Sequence, residues 1–343
     1  SAYSAALDIS KDNYELIHFS GGWAKEREMY RSEIRQGVKI DISNARGGSG
    51  HNINPFVMLA KSGADEMSGE VYSMTLVYSG NHSTMLECDQ FGNIRLMQGI
   101  NPFGFEWKLK EGESFQTPQS VMCYSDKGIG GISRELHDVI RQNLCRSKWV
   151  NKERPILINN WEATYMDFNE EKLLNIAKTA KEQGVELFVL DDGWFSSRIK
   201  DDNGLGDWYE NRDRLPNGLE GLADKINALG MRFGLWFEPE MVNPDSDLYR
   251  AHPDWILHAK GRQSSLVRNQ LTLDLSRKDV CDYITEAVSD VLSKANIEYV
   301  KWDMNRYMSE VGSSELPADR QGEVKHRYML GLYSVLETLT QRF

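Results

Sequence analysis

Residues 71–78, Val-Tyr-Ser-Met-Thr-Leu-Val-Tyr, are rich in β-branched and aromatic types, and Ser79-Gly80-Asn81 breaks the run. Shorter runs of the same character follow at 84–88, 93–100, 105–110 and 120–124, punctuated by Gly92-Asn93, Asn101-Pro102 and Gly112. Short strands separated by turn residues predict an antiparallel β domain, a partial sandwich, at the N-terminal end. Residues 130–147 then change period. Ile132, Leu136, Val139, Ile140 and Leu144 recur at helical spacing, and the polar stretch Asn151-Lys152-Glu153-Arg154-Pro155 marks a boundary. The reading is a partial N-terminal β-sandwich domain over 1–129, a linker helix over 130–154 and a second domain over 155–343.

The second domain alternates. Short apolar strands are predicted at 156–159, 185–190, 231–237 and 297–302, with amphipathic helices at 170–183, 219–229, 279–295 and 320–343. Gly184 and Gly230 stop the first two helices. Strand–helix alternation predicts an α/β domain with a parallel sheet built from right-handed βαβ units. Residues 238–278 are too many for a simple connection and read as an elaborated loop that carries function.

Each of these strands runs into polar residues: Asn160-Trp161-Glu162, Asp191-Asp192-Gly193-Trp194, Glu238-Pro239-Glu240 and Lys301-Trp302-Asp303-Met304-Asn305. One acidic residue after a strand is explained by helix capping. Four consecutive parallel strands with acidic ends point instead to the active-site face of a (β/α)8 TIM barrel, here its first half. Carboxylates accept hydrogen bonds from sugar hydroxyls, and indole rings pack against the C–H faces of a pyranose. Glycoside hydrolysis requires a pair of carboxyl groups flanking the scissile bond.

Charge and composition remove other classes. Across 343 residues, 51 acidic side chains exceed 40 basic ones, a net charge of −11 without a basic run, which argues against a nucleic-acid partner. No apolar run reaches the roughly 18–20 residues that cross a bilayer, so no membrane association is expected. The N-terminus lacks a signal-peptide pattern, and Cys88, Cys123, Cys145 and Cys281 show no metal or disulfide spacing. A cytoplasmic protein with free thiols is expected. The seven histidines do not cluster, and neither a metal nor a cofactor is anticipated. The glycine-rich Arg46-Gly47-Gly48-Ser49-Gly50-His51 does not lie between a strand and a helix and reads as a loop.

Three motifs together are specific: Asp191-Asp192-Gly193-Trp194-Phe195, Trp236-Phe237-Glu238-Pro239-Glu240-Met241 and Lys301-Trp302-Asp303-Met304-Asn305-Arg306. In this order they resemble the α-galactosidases of glycoside hydrolase family 36, and the likeness extends over about residues 46–343. The resemblance implies a retaining hydrolase of terminal α-galactosides such as melibiose and raffinose. It implies Asp303 as nucleophile, with Asp191, Asp192, Lys301, Asn305 and Arg268 on the sugar hydroxyls and Trp161 and Trp236 as aromatic walls. It also implies a homo-oligomer, a tetramer in the family. Lys301 and Arg268 would favour an ionised Asp303.

The family's general acid/base, in a motif of the form Trp-Thr-Ser-Asp-Asp, has no match before Phe343. The expectation is therefore a central piece of a larger enzyme, with the acid/base beyond residue 343 and other segments or copies completing the barrel. Galactosyl transfer and N-acetylgalactosamine specificity remain open on the same scaffold, as does galactose binding without turnover. A metal-assisted, enolase-like barrel would also place carboxylates and lysines at strand ends, but the tryptophans and the Lys-Trp-Asp-Met-Asn order argue against it.

Overall fold

The computed structural model describes residues 2–10 and 12–343. The chain divides into two compact units, Ser1–Lys152 and Glu153–Phe343.

The first unit holds β1 (Tyr3–Ile9), β2 (Tyr14–Gly22), β3 (Lys25–Glu33), β4 (Lys39–Ser43), β5 (Ile53–Lys61), β6 (Val71–Val77), β7 (His82–Cys88), β8 (Ile94–Ile100) and β9 (Gln119–Ser125). They form two antiparallel sheets, ordered β1-β8-β7-β4 and β3-β2-β5-β6-β9. Leu16, Val57, Leu59 and Met74 of one sheet pack with Ile42, Leu86, Ile94 and Leu96 of the other, so the two share a core. The two-residue period is visible on β8, where Ile94 and Leu96 point inward while Arg95 pairs outward with Asp8.

Two expectations change here. The helix anticipated over 130–147 is α1 (Gly128–Val139), followed by one π-helical turn at Ile140–Leu144. It is more than a connection: Ile132 packs with Ile17, Met58 and Val71 on the outer face of the five-stranded sheet. Residues 105–110 form no strand. Their alternating apolar side chains serve aromatic contacts instead, with Phe105 and Trp107 packing on Phe115 at centroid separations of 5.8 and 5.0 Å.

The second unit alternates as anticipated: β10 (Leu157–Asn159), α2 (Trp161–Thr164), α3 (Glu170–Glu182), β11 (Leu187–Leu190), α4 (Gly218–Ala228), β12 (Arg232–Phe237), β13 (Met241–Val242), α5 (Asp247–Ala251), β14 (Leu271–Thr272), α6 (Lys278–Lys294), β15 (Tyr299–Trp302) and α7 (Val324–Arg342). The strands β10-β11-β12-β15 pair in parallel and in chain order, the arrangement of the first half of a TIM barrel. Local chemistry sets the helix ends. The Asn169 side chain accepts the Lys172 N–H at 2.9 Å to start α3. Gly184 and Gly230, at φ 85° and 73°, end α3 and α4 in the left-handed conformation that glycine adopts without a Cβ clash. The long segment after β12 is structured: it carries α5 and the antiparallel β13–β14 ribbon.

Candidate active site

The predicted site residues gather at the C-terminal ends of the four parallel strands. Asn159 ends β10 and Trp161 starts the next turn. Asp191 and Asp192 follow β11. Trp236 lies in β12, Lys301 in β15, and Asp303 and Asn305 just after it. Arg268 comes from the loop before β14.

Asp303 sits among neutral donors. Its Oδ2 accepts the Asn305 side-chain amide at 2.7 Å and the Trp236 indole N–H at 3.1 Å, and its Oδ1 accepts the Met304 backbone N–H at 3.0 Å. The Asp303 N–H donates to the Phe237 carbonyl at 2.8 Å, which ties this residue to the end of β12. Three donors on one partly buried carboxylate hold it oriented. Arg268 reaches the cluster indirectly: its Nη1 donates to Asn305 Oδ1 at 2.7 Å, so the guanidinium is linked to Asp303 through the asparagine. Lys301, the other expected cationic neighbour, turns instead to Asp191, with Nζ 2.7 Å from Oδ2.

Asp191 is buried and further held by the Asn159 amide at 2.5 Å and, through its own N–H, by Asn160 Oδ1 at 2.8 Å. Asp192 was expected to face sugar hydroxyls. Both of its oxygens accept the guanidinium of Arg198, at 2.6 Å to Nε and 2.8 Å to Nη2, and both side chains are buried. Burial pushes the Asp192 carboxyl up from the ordinary aspartate value, Arg198 opposes this, and the Asp191 charge adds to it. The bidentate pair leaves one lone pair on each oxygen for anything else.

The aromatic walls differ from each other. Trp161 is partly exposed and meets the Tyr165 ring edge-on at 5.3 Å. Trp236 is only 2% exposed, stacked beside Phe195. It offers its N–H edge to Asp303 rather than an open ring face. Trp194 and Trp208 belong to the same buried aromatic cluster, and Trp194 donates to the Trp236 carbonyl at 2.9 Å.

Glu238 and Glu240 flank Pro239 just after β12. Glu240 is buried and accepts the Trp302 indole at 2.9 Å and the Tyr328 hydroxyl at 2.6 Å. Burial pushes its carboxyl up. Glu238, 1% exposed, accepts the Asn305 backbone N–H and the Gln270 side-chain amide. Burial pushes it up to about 7, with the Asn305 N–H opposing and the Asp303 charge adding. Closed off in this way, neither glutamate can stand in as a solvent-facing acid. Among the described residues, no group of three or more His, Cys, Asp or Glu side chains is arranged to hold a metal ion.

Comparison with known proteins places this geometry. The family model described as Melibiase matches residues 114–343, and that of the glycosyl hydrolase family 36 N-terminal domain matches residues 1–110. Alpha-galactosidase AgaA of Geobacillus stearothermophilus is 56% identical over 342 residues, covering 100% of this chain and 47% of its own. The crystal structure of that enzyme superposes with a TM-score of 0.98, covering 100% of this chain and 48% of the other. A doubly substituted variant of it, solved in complex with raffinose, is 56% identical and superposes with a TM-score of 0.97, again with 100% and 48% covered. The chain thus spans about half the length of the curated relatives it matches.

Proposed function

This chain belongs to the melibiase family, glycoside hydrolase family 36, and on that premise we propose that it acts as a retaining α-galactosidase on terminal α-D-galactosyl groups of neutral oligosaccharides. Raffinose, held by the Geobacillus variant, is of this class. The observation that carries the proposal is the seat of Asp303: a carboxylate at a barrel strand end, fixed by three neutral donors and linked through Asn305 to Arg268.

In this reading Asp303 attacks the anomeric carbon. The C–O bond to the leaving group breaks as the ester to Asp303 forms, and water then displaces the sugar with net retention. Asp191, Asp192, Lys301, Arg268 and Asn305 bind ring hydroxyls, and Trp161 supplies an apolar face. Glu238 and Glu240, sealed in hydrogen bonds, are not assigned as the carboxyl that protonates the leaving oxygen.

The same proposal includes a homo-oligomer, a tetramer by family resemblance, to be measured by light scattering. It also includes a cytoplasmic setting, with which four free cysteines agree. No helix among the described residues is long and apolar enough to cross a membrane. The function is tested with a mechanism-based α-galactosyl inactivator followed by intact mass and peptide mapping. One glycosyl group on Asp303 is expected. A label elsewhere, or none on an enzyme that hydrolyses α-galactosides, overturns the assignment.

A further inference from the structure

We propose that Glu238 is a positioning residue: it clamps together the two segments that bring Asn305 and Arg268 to the nucleophile. The inference rests on the reading of Asp303 as that nucleophile.

Glu238 directly follows β12, two residues after Trp236, so the two side chains leave the strand on the same side. Trp236 touches Asp303 itself. One oxygen of Glu238 accepts the backbone N–H of Asn305, in the turn after β15. The other accepts Gln270 Nε2 at 2.9 Å, in the loop entering β14. The same Asn305 donates its side-chain amide to Asp303 and accepts from Arg268, which lies two residues before Gln270. A single buried carboxyl therefore ties together the two segments that supply Asn305 and Arg268 to Asp303.

The loop it holds has reason to be held. Arg268 and Asn269 lie at φ 52° and 58°, left-handed backbone at two consecutive non-glycine residues, and such conformations persist only where their surroundings over-determine them. Arg306 braces the loop from another side by donating to the carbonyls of Ser265, at 2.9 Å, and Gln270. Among the described residues Glu238 has no cationic partner within salt-bridge distance, and burying a carboxyl without one is costly unless its oxygens accept hydrogen bonds. Glu240, two residues on and equally buried, is the internal comparison. Its donors, Trp302 and Tyr328, are not among the groups that donate to the Asp303 carboxylate, so it has no hydrogen bond to the Arg268–Asn305–Asp303 relay.

Gln270 also shows how a neutral substitute would fit. Its Oε1 is buried without a hydrogen-bond partner. Turning the amide over would present that oxygen to the amide N–H of a glutamine at position 238, whose single amide oxygen would still accept the Asn305 N–H.

The test measures the maximal rate of Asp303 labelling by the α-galactosyl inactivator, alongside unfolding midpoints, in the full-length enzyme. Glu238→Gln is expected within about threefold of wild type, because it can keep both hydrogen bonds. Glu238→Leu and Gln270→Met are expected to label at least about tenfold more slowly, the scale of one or two lost hydrogen bonds. Gln270→Met keeps the carboxyl and tests the clamp even if Glu238→Leu fails to fold. Glu240→Gln is expected to shift the midpoint and leave the labelling rate unchanged. Labelling of Glu238→Leu or Gln270→Met within twofold of wild type overturns the proposal. So does a Glu238→Gln enzyme as slow as Glu238→Leu, which would make charge, not the clamp, the operative property. Absence of label on wild-type Asp303 would fail the nucleophile assignment instead, and is read separately.

Discussion

The indole N–H of Trp236 lies 3.1 Å from Oδ2 of Asp303, the same oxygen that accepts the Asn305 amide at 2.7 Å. The tryptophan that the family resemblance implies as an aromatic wall is thus a donor to the carboxylate proposed as nucleophile. Trp236→Phe removes that donor and keeps an aromatic ring. A hydrogen bond to a charged group is worth about 1.5–3 kcal/mol, so kcat/KM for α-galactosides is expected to fall about ten- to a hundredfold. Asp303→Asn keeps the shape and loses the nucleophile, so activity should drop roughly 10⁴-fold or more and labelling should vanish. Steady-state kinetics on an aryl α-galactoside check both.

Arg198 and Asp192 form a bidentate pair with both side chains buried. Arg198→Met leaves Asp192 buried without its countercharge, and breaking a buried pair in this way costs about 3–5 kcal/mol. The denaturant midpoint should fall well below wild type, and Arg198→Lys, which cannot reproduce the planar fork, should recover only part of the loss.

Glu238 makes stability depend on pH with a definite sign. Its folded value, about 7, lies above the ordinary glutamate value of 4.5. Between these values the folded state binds more protons than the unfolded state. The contribution is therefore complete below pH 4.5 and is lost as pH rises through about 7. Wild type should lose stability relative to Glu238→Gln across this window and run parallel to it above. Denaturant midpoints of the two proteins, measured from pH 4.5 to 8, decide the matter.

Gly331 sits inside α7, where helix propensity alone would favour alanine by about 1 kcal/mol. A Cβ there would stand 1.9 Å from the Leu275 carbonyl oxygen and 2.9 Å from Cys281 Sγ. Backbone cannot yield as a flexible side chain can, and overpacking of this kind costs typically about 1–3 kcal/mol. Gly331→Ala is expected to lower the melting temperature, against the propensity scale.

What could be read beforehand follows from the range of each interaction. The parallel strands announced themselves because β11 is buried at every position and β12 nearly so, which leaves continuous apolar runs. Their polar ends carried Asp191, Lys301, Asp303 and Asn305 in plain view. β3 was not legible: Lys25–Glu33 is charged and exposed at nearly every position and forms a strand only because β2 supplies its partner. The arrangement around Asp192 was hidden for a related reason. Arg198 lies in an irregular loop, and nothing local shows that its guanidinium turns back onto a carboxylate six positions earlier. Glu238 and Gln270, 32 residues apart, meet only once the long loop has folded. An unpaired polar residue beside a predicted strand end was the available signal, and it was too common to single them out.

The salt bridges at the mouth have a consequence for how a ligand arrives. Asp191 is matched by Lys301, Asp192 by Arg198, and Asp303 is joined through Asn305 to Arg268. Two carboxylates meet cations directly and the third lies one asparagine away from Arg268, so little of their field projects outward. Capture of an uncharged sugar should then depend on diffusion and fit alone, with an association rate nearly indifferent to ionic strength. A uronic acid would enjoy no such indifference: its extra carboxylate would enter a pocket whose cations are already engaged, and would be turned away.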